Sequence, residues 1–246
     1  MVNNIVLEKY LSEYLSASSF SDYCPNGLQI EGRPDISKIV TGVSANQDLI
    51  ERAIDQQADA LLVHHGFFWK NESAVITGIK KNRIKALLDN NINLFAYHLP
   101  LDAHPVVGNN IQLALRFNIQ NPQPIGDTLV WQGEVDAPLH EVAQSVMNVT
   151  SRAPLVFGAE DKKINKIAWC SGGAQSYIEH AINIGADCFI TGEVSEQIPA
   201  ICQENDITFI SAGHHATERY GVQALGQHLS QEFELAHQYI DIDNIV

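Results

Sequence analysis

Three short segments carry the side chains best suited to chemistry: His64-His65-Gly66, the stretch from His98 to Asp102, and His214-His215 with Glu218. Between them they bring five histidines and two carboxylates. Neutral imidazole is the commonest protein ligand for zinc, iron, manganese or nickel. A carboxylate adds charge and can bridge two cations, at the roughly 3.5–4 Å separation of two-metal hydrolytic sites. Adjacent histidines at a strand end can diverge, one toward each metal. The His-x-x-x-acid spacing of His98/Asp102 and His214/Glu218 puts both members on one face if the segment is helical. Pro100 leaves a tight loop open as the alternative for the first pair. A lone histidine at a strand end is ordinarily a hydrogen-bonded structural residue, but seven such groups from three strand ends favour a metal. His215 is expected beside the metal, because its neighbour His214 has the partner four residues on. His98 fits a ligand or an orienting neighbour equally well. His104, His140, His180, His228 and His237 read as ordinary surface residues.

Each cluster closes an apolar run, over residues 60–63, 92–97 and 207–211. In open parallel sheets ligands bind at the carboxyl ends of strands, so these runs are the elements that must position the clusters. A shift of 128 residues lays 38–66 over 166–194 without a gap, and nine of the 29 positions are identical, Lys38 and Asp59 among them. Each copy reads as an apolar run, a small-residue turn, a helix with apolar spacings of three and four, and a second apolar run. Further helices are expected at 79–90, 109–117, 196–205 and 219–231. The alternation predicts strands joined by helical crossovers. The fold class is therefore α/β: two similar lobes related by internal duplication, mostly parallel sheets, and a dinuclear metal site in the cleft between them. The lobes are placed at 1–119, with an N-terminal helix and room for completion by the C-terminal segment, and at 120–246. Between the copies, Pro122, Pro124, Gly126 and Asp127 read as a turn-rich linker, followed by a strand at 128–135, a helix at 139–149 and a strand at 154–157. A last strand is expected at 239–242. The repeat is broken where His64 and His65 align with Gly192 and Glu193, which makes Glu193 a candidate for proton transfer near the rim.

Composition narrows the function classes. A net charge of −14 disfavours nucleic acid, whose binding rests on neutralising phosphates. The one basic cluster, Lys80, Lys81, Arg83 and Lys85, has the spacing of a solvated helix face. No apolar run is long enough for a membrane span, and the amphipathic start lacks the features of a signal peptide, so a cytoplasmic location is expected. The four cysteines show no metal-finger spacing and read as buried thiols. There is no Walker P-loop and no GxGxxG after a strand. Ser171-Gly172-Gly173, between an apolar run and a helix, is either an anion cradle of backbone amides or simply a tight turn. Phe67, Phe68 and Trp69 are core or packing residues, with an aromatic wall for a planar substrate as the alternative.

The segments DALLVHHGFFW, HLPLDAHPVVGNN, CSGGAQS, ITGEVSEQ and AGHHATER, together with the turn SDYCPNGLQIEG, resemble the GTP cyclohydrolase 1 type 2-like family, also called NIF-three-like. The likeness spans essentially the whole chain and is strongest to short bacterial members of the YbgI type. It implies two α/β lobes around a dinuclear centre of two divalent ions (iron, zinc, manganese or nickel). The ligands it implies are His64, His65, Asp102, His214 and Glu218, the glutamate able to bridge. It also implies a homo-oligomer, a toroidal hexamer. The activity it implies is metal-dependent hydrolysis of a purine nucleotide such as GTP, with ring opening at the imidazole carbon; by their positions in the sequence, Glu193 or His98 would shuttle the proton. The alternative from another class is a metal-binding adaptor or regulatory protein without turnover.

Overall fold

The computed structural model describes all 246 residues, which form two compact units. One comprises Met1–Gly108 with Gly221–Asp243, the other Asn109–Tyr220 with Asn244–Val246. No helix is long and apolar enough to cross a membrane.

The first unit is built on a five-stranded sheet in the order Ala236–Tyr239, Lys38–Ser44, Ala60–His65, Asn93–Ala96, Gly27–Ile30. All neighbours are parallel except the last pair. The three central strands are largely apolar on both faces because both faces are covered. Ala60 and Leu62 join a core with Leu7, Leu11, Leu225 and Leu229, while Leu61 and Val63 join one with Leu49, Ile50 and Leu87. This two-sided burial is what a strand between crossover helices requires. The helix Gln47–Asp55 starts where Asn46 accepts a hydrogen bond from Leu49 N, and it turns Leu49, Ile50 and Ala53 inward. The final strand lies at Ala236–Tyr239, three residues earlier than expected, and places His237 beside Thr41 at 2.9 Å.

In the second unit the order is Gln120–Pro124, Trp131–Pro138, Lys163–Trp169, Cys188–Thr191, Thr208–Ser211, Leu155–Phe157. Only the three strands from Lys163 to Ser211 run parallel to their neighbours in the sense expected; the other pairings are antiparallel. The sheets are thus mixed rather than mostly parallel: the segment between the repeated stretches contributes Gln120–Pro124, Trp131–Pro138 and Leu155–Phe157, which all pair antiparallel. The stretch expected to be a linker is itself an edge strand, Gln120–Pro124. Prolines lack the amide a central strand needs, and an edge tolerates them.

The identical residues of the two sequence copies make like bonds in each unit. Asp59 accepts from the amides of Ser37 and Lys38, and Asp187 from those of Asn165 and Lys166. Lys38 Nζ donates to Gln56 O at 2.5 Å, and Lys166 Nζ to Ile184 O at 2.6 Å. Each Lys/Asp pair ties the start of one strand to the start of the next, which holds the opposite, carboxyl ends in line.

Candidate metal centre

The strand Ala60–His65 delivers His64 and His65 at its carboxyl end. His64 is fully buried, and its Nδ1 lies 3.0 Å from the carbonyl oxygen of Tyr97. A carbonyl only accepts, so Nδ1 carries the proton in the neutral ring and Nε2 keeps its lone pair. Nε2 stands 3.6 Å from Asp102 Oδ2. That is too long for an N–H···O bond. It suits two donors each about 2.1 Å from one tetrahedral cation, whose mutual separation is about 3.4 Å. Asp102 comes from the short helix Leu99–Ala103, so the expected choice between loop and helix falls to the helix. Pro100 sits in its first turn, where a missing amide does no harm.

His65 Nδ1 lies 3.0 Å from the hydroxyl of Ser44, its partner across the ladder. The centroids of the two adjacent rings are 4.6 Å apart, with their planes tilted by 43°. One nitrogen from each of His64, His65 and His98 falls within 4.8 Å of the others. His98 Nδ1 is 2.7 Å from Asp22 Oδ1. Burial opposes the Asp22 charge, but hydrogen bonds from His98 and Asn26 outweigh it and hold the carboxyl at about 2. Trp69 meets the His98 ring edge-on at 5.0 Å and lies 5.8 Å from His65, whereas Phe67 enters the core.

In the second unit the strand Thr208–Ser211 leads through Gly213 into the helix His214–Thr217. His214 Nδ1 is 2.6 Å from Glu193 Oε1, and Nε2 is 3.2 Å from Glu218 Oε2. Burial disfavours a charged His214, yet the Glu218 and Glu193 carboxylates outweigh it and raise the imidazole to about 9. A divalent cation at Nε2 would take the place of that proton. Glu193, expected as a proton-transfer group, is thus also the partner that orients His214. Glu218 is buried, and the loop at Gly172 closes over it: a Cβ on Gly172 would lie 2.2 Å from Glu218 Oε1. Gly192, aligned with His64 in the repeat, has no room for any side chain, since its Cβ would meet Gly172 O and His214 Cα at 2.6 Å. The asymmetry between the copies therefore has a steric cause within this unit.

Several expectations change. The amides of Ser171, Gly172 and Ala174 donate to Asn110, Thr217 and Thr191 side chains, so the Ser-Gly-Gly segment is a braced turn rather than an anion cradle. His104, His228 and His237 are half-buried and not surface residues. His228 stacks on Tyr14 at 4.3 Å, His104 packs on Tyr14 at 4.5 Å, and burial lowers the pKa of both His104 and His237. His215 is buried and its backbone amide donates to Val246 O. All four cysteines are buried. Burial pushes Cys24 and Cys188 up to about 12 and Cys202 to about 11, which leaves them as inert thiols. Sequence reasoning missed Asp22, Asn26, Tyr97 O and Thr217; the polar residues of the 21–32 turn were the only available hint.

The model of the Duf34/NIF3 (NGG1p interacting factor 3) family matches residues 2–245. The chain is 49% identical to a Yersinia pestis protein called GTP cyclohydrolase 1 type 2 homolog, over 99% of each chain. It is 51% identical to a Pseudomonas aeruginosa protein of the same description, over 94% of each. Its fold superposes on the solved structure of protein ybgI, described as of unknown function, with a TM-score of 0.95, 46% identity and full coverage of both chains. A likeness of this extent, running through every segment that carries the candidate donors, places the chain in the Duf34/NIF3 family.

Proposed function

We propose that the chain is a metal-dependent hydrolase, holding two divalent cations through His64, His65, Asp102, His214 and Glu218 and acting on a nucleotide-like substrate. The observation that carries this reading is the buried pair His64 Nε2 and Asp102 Oδ2, two acceptor atoms at cation-sharing distance, with the other imidazole nitrogen already committed to Tyr97 O. The second donor pair, His214 Nε2 and Glu218 Oε2, has a similar character. A mixed imidazole and carboxylate set suits iron, zinc, manganese or nickel. When bound, two such cations supply Lewis acidity and acidify water at neutral pH.

The protein's own groups do the rest. Glu193 holds the His214 ring through Oε1, and its side chain is about one-third exposed, so Oε2 is placed to accept a proton from the substrate side. His98, the other candidate for proton transfer, has Nδ1 committed to Asp22, which leaves Nε2 for chemistry. Trp69, half-buried beside His65 and His98, offers a flat face to a planar base. The description of the relatives as GTP cyclohydrolase 1 type 2 homologs supports a purine nucleotide as substrate. The same resemblance supports assembly as a hexameric ring, which sedimentation of the intact protein tests.

The test is metal content per chain together with hydrolysis of GTP and other nucleotides, after chelation and after re-addition of iron, manganese or zinc. About two metals per chain and activity that returns on re-addition are expected, both lost in Glu218→Gln. Two metals without turnover on any nucleotide would refute the hydrolase and leave a metal-binding adaptor. A chain that takes up no metal would refute the centre itself.

A further inference from the structure

We propose that Asp22 is a positioning residue for the metal centre: it fixes His98 as the tautomer with hydrogen on Nδ1, and so makes Nε2 of His98 a further metal-ligating nitrogen. This inference rests on the proposed function, extends the ligand set by one imidazole, and leaves proton transfer to Glu193.

The residues 21–26, just before the strand Gly27–Ile30, form a turn whose sequence alone suggests nothing beyond a chain reversal. In the fold it braces one end of the candidate centre. Asp22 is nearly buried, and every hydrogen bond it makes there is accepted. Its Oδ1 takes Tyr23 N at 2.6 Å, and its Oδ2 takes Asn26 Nδ2 at 2.9 Å and Leu99 N at 3.0 Å. A carboxylate surrounded by N–H donors has no proton to give, so the 2.7 Å contact with His98 requires hydrogen on Nδ1. The backbone is pinned as well, since His98 N donates to Asn26 Oδ1 at 2.7 Å. Ring and main chain are therefore held by two residues of the same turn. The lone pair left on Nε2 belongs to a ring whose centroid is 5.0 Å from that of His64 and 5.7 Å from that of His65.

The pattern is the one metal-binding histidines show, in which the second ring nitrogen donates to a carboxylate or carbonyl that fixes orientation and raises basicity. His64 follows it with Tyr97 O, and His214 with Glu193. His98 has the same arrangement, with the better-buried carboxylate of the two.

The experiment is a metal-affinity cycle on the full chain, with Zn²⁺ and Co²⁺ competed against a chelator, for His98→Gln, Asp22→Asn and the double variant. It is paired with ¹⁵N NMR of the metal-free protein to read the His98 tautomer. The Nδ1–H form is expected in the parent. Each single substitution should weaken binding about 10–100-fold, and the double variant should bind no worse than His98→Gln alone, because Asp22 acts through that ring. Parent-like affinity in His98→Gln would overturn the inference, as would an Nε2–H tautomer in the parent. So would a loss from Asp22→Asn that is just as large in the His98→Gln background, since that marks a purely structural role. Should Asp22→Asn fail to fold, the parent spectrum and His98→Gln decide. If Glu218→Gln abolishes binding while His98→Gln does not, only this inference fails; if the parent binds no metal, the proposed function fails with it.

Discussion

Replacing Gly172 by alanine tests whether the Glu218 carboxylate must stay where the fold holds it. Gly172 has φ +68, and a Cβ there would lie 2.2 Å from Glu218 Oε1 and 3.3 Å from His214 Nε2. Ordinary contact begins near 3.4 Å, so the carboxylate must retreat by about 1 Å. The left-handed backbone adds roughly 1–2 kcal/mol of destabilisation for any residue with a Cβ. Gly185 separates the two effects: it has the same φ of +68 with nothing within 4 Å of its Cβ position. Urea melts of the metal-free protein should show both Gly172→Ala and Gly185→Ala less stable by about 1–2 kcal/mol. Chelator competition with Zn²⁺ should show Gly185→Ala binding like the parent and Gly172→Ala binding about 10–100-fold more weakly, the scale seen when a ligand's support is removed. If the two variants match in both assays, Glu218 relocates without consequence, and its assignment as a ligand loses its geometric basis.

Other expectations follow from the same contacts. Asp59→Asn should lower stability by about 2–3 kcal/mol in urea melts, because an amide cannot accept from Ser37 and Lys38 and also from Arg33. Asp187→Asn should cost less, since its two amide donors meet a single oxygen; equal losses would contradict this account. Glu193→Gln removes one of two carboxylates on His214, so an NMR titration of the metal-free protein should place that imidazole below about 9, and an unchanged midpoint would show that Glu193 does not govern it. Asp22, lowered from 3.8 to about 2, stabilises the fold fully above pH 4 and ceases to do so as pH falls toward 2. The stability advantage of the parent over Asp22→Asn should therefore shrink by about 2 kcal/mol between pH 5 and pH 2; a constant difference would mean that the ionised carboxylate contributes nothing.

Much of the protein is legible in its residues alone. Apolar runs with buried periodicity mark the strands Ala60–His65 and Thr208–Ser211, and the groups expected to hold metal do close those runs. The repeat points to Lys38 and Asp59 as a pair, and the fold shows why: each ties neighbouring strands at their starts. These features are local, or recur at a fixed offset, so side-chain type and spacing are enough to expose them. The edge strand Gln120–Pro124 escapes because prolines signal turns, and only its place at the sheet's border excuses them. Tyr97 O, Thr217 and Asp22 belong to another class, and so does the contact of Glu193 with His214, although the repeat singles out Glu193 itself. Asp22 stands 76 residues before His98, and no period in the chain links them. Residue types determined that a metal could bind; the order of strands in the sheet decided which hydrogen-bond acceptor meets each ring, and hence which nitrogen is left to bind it.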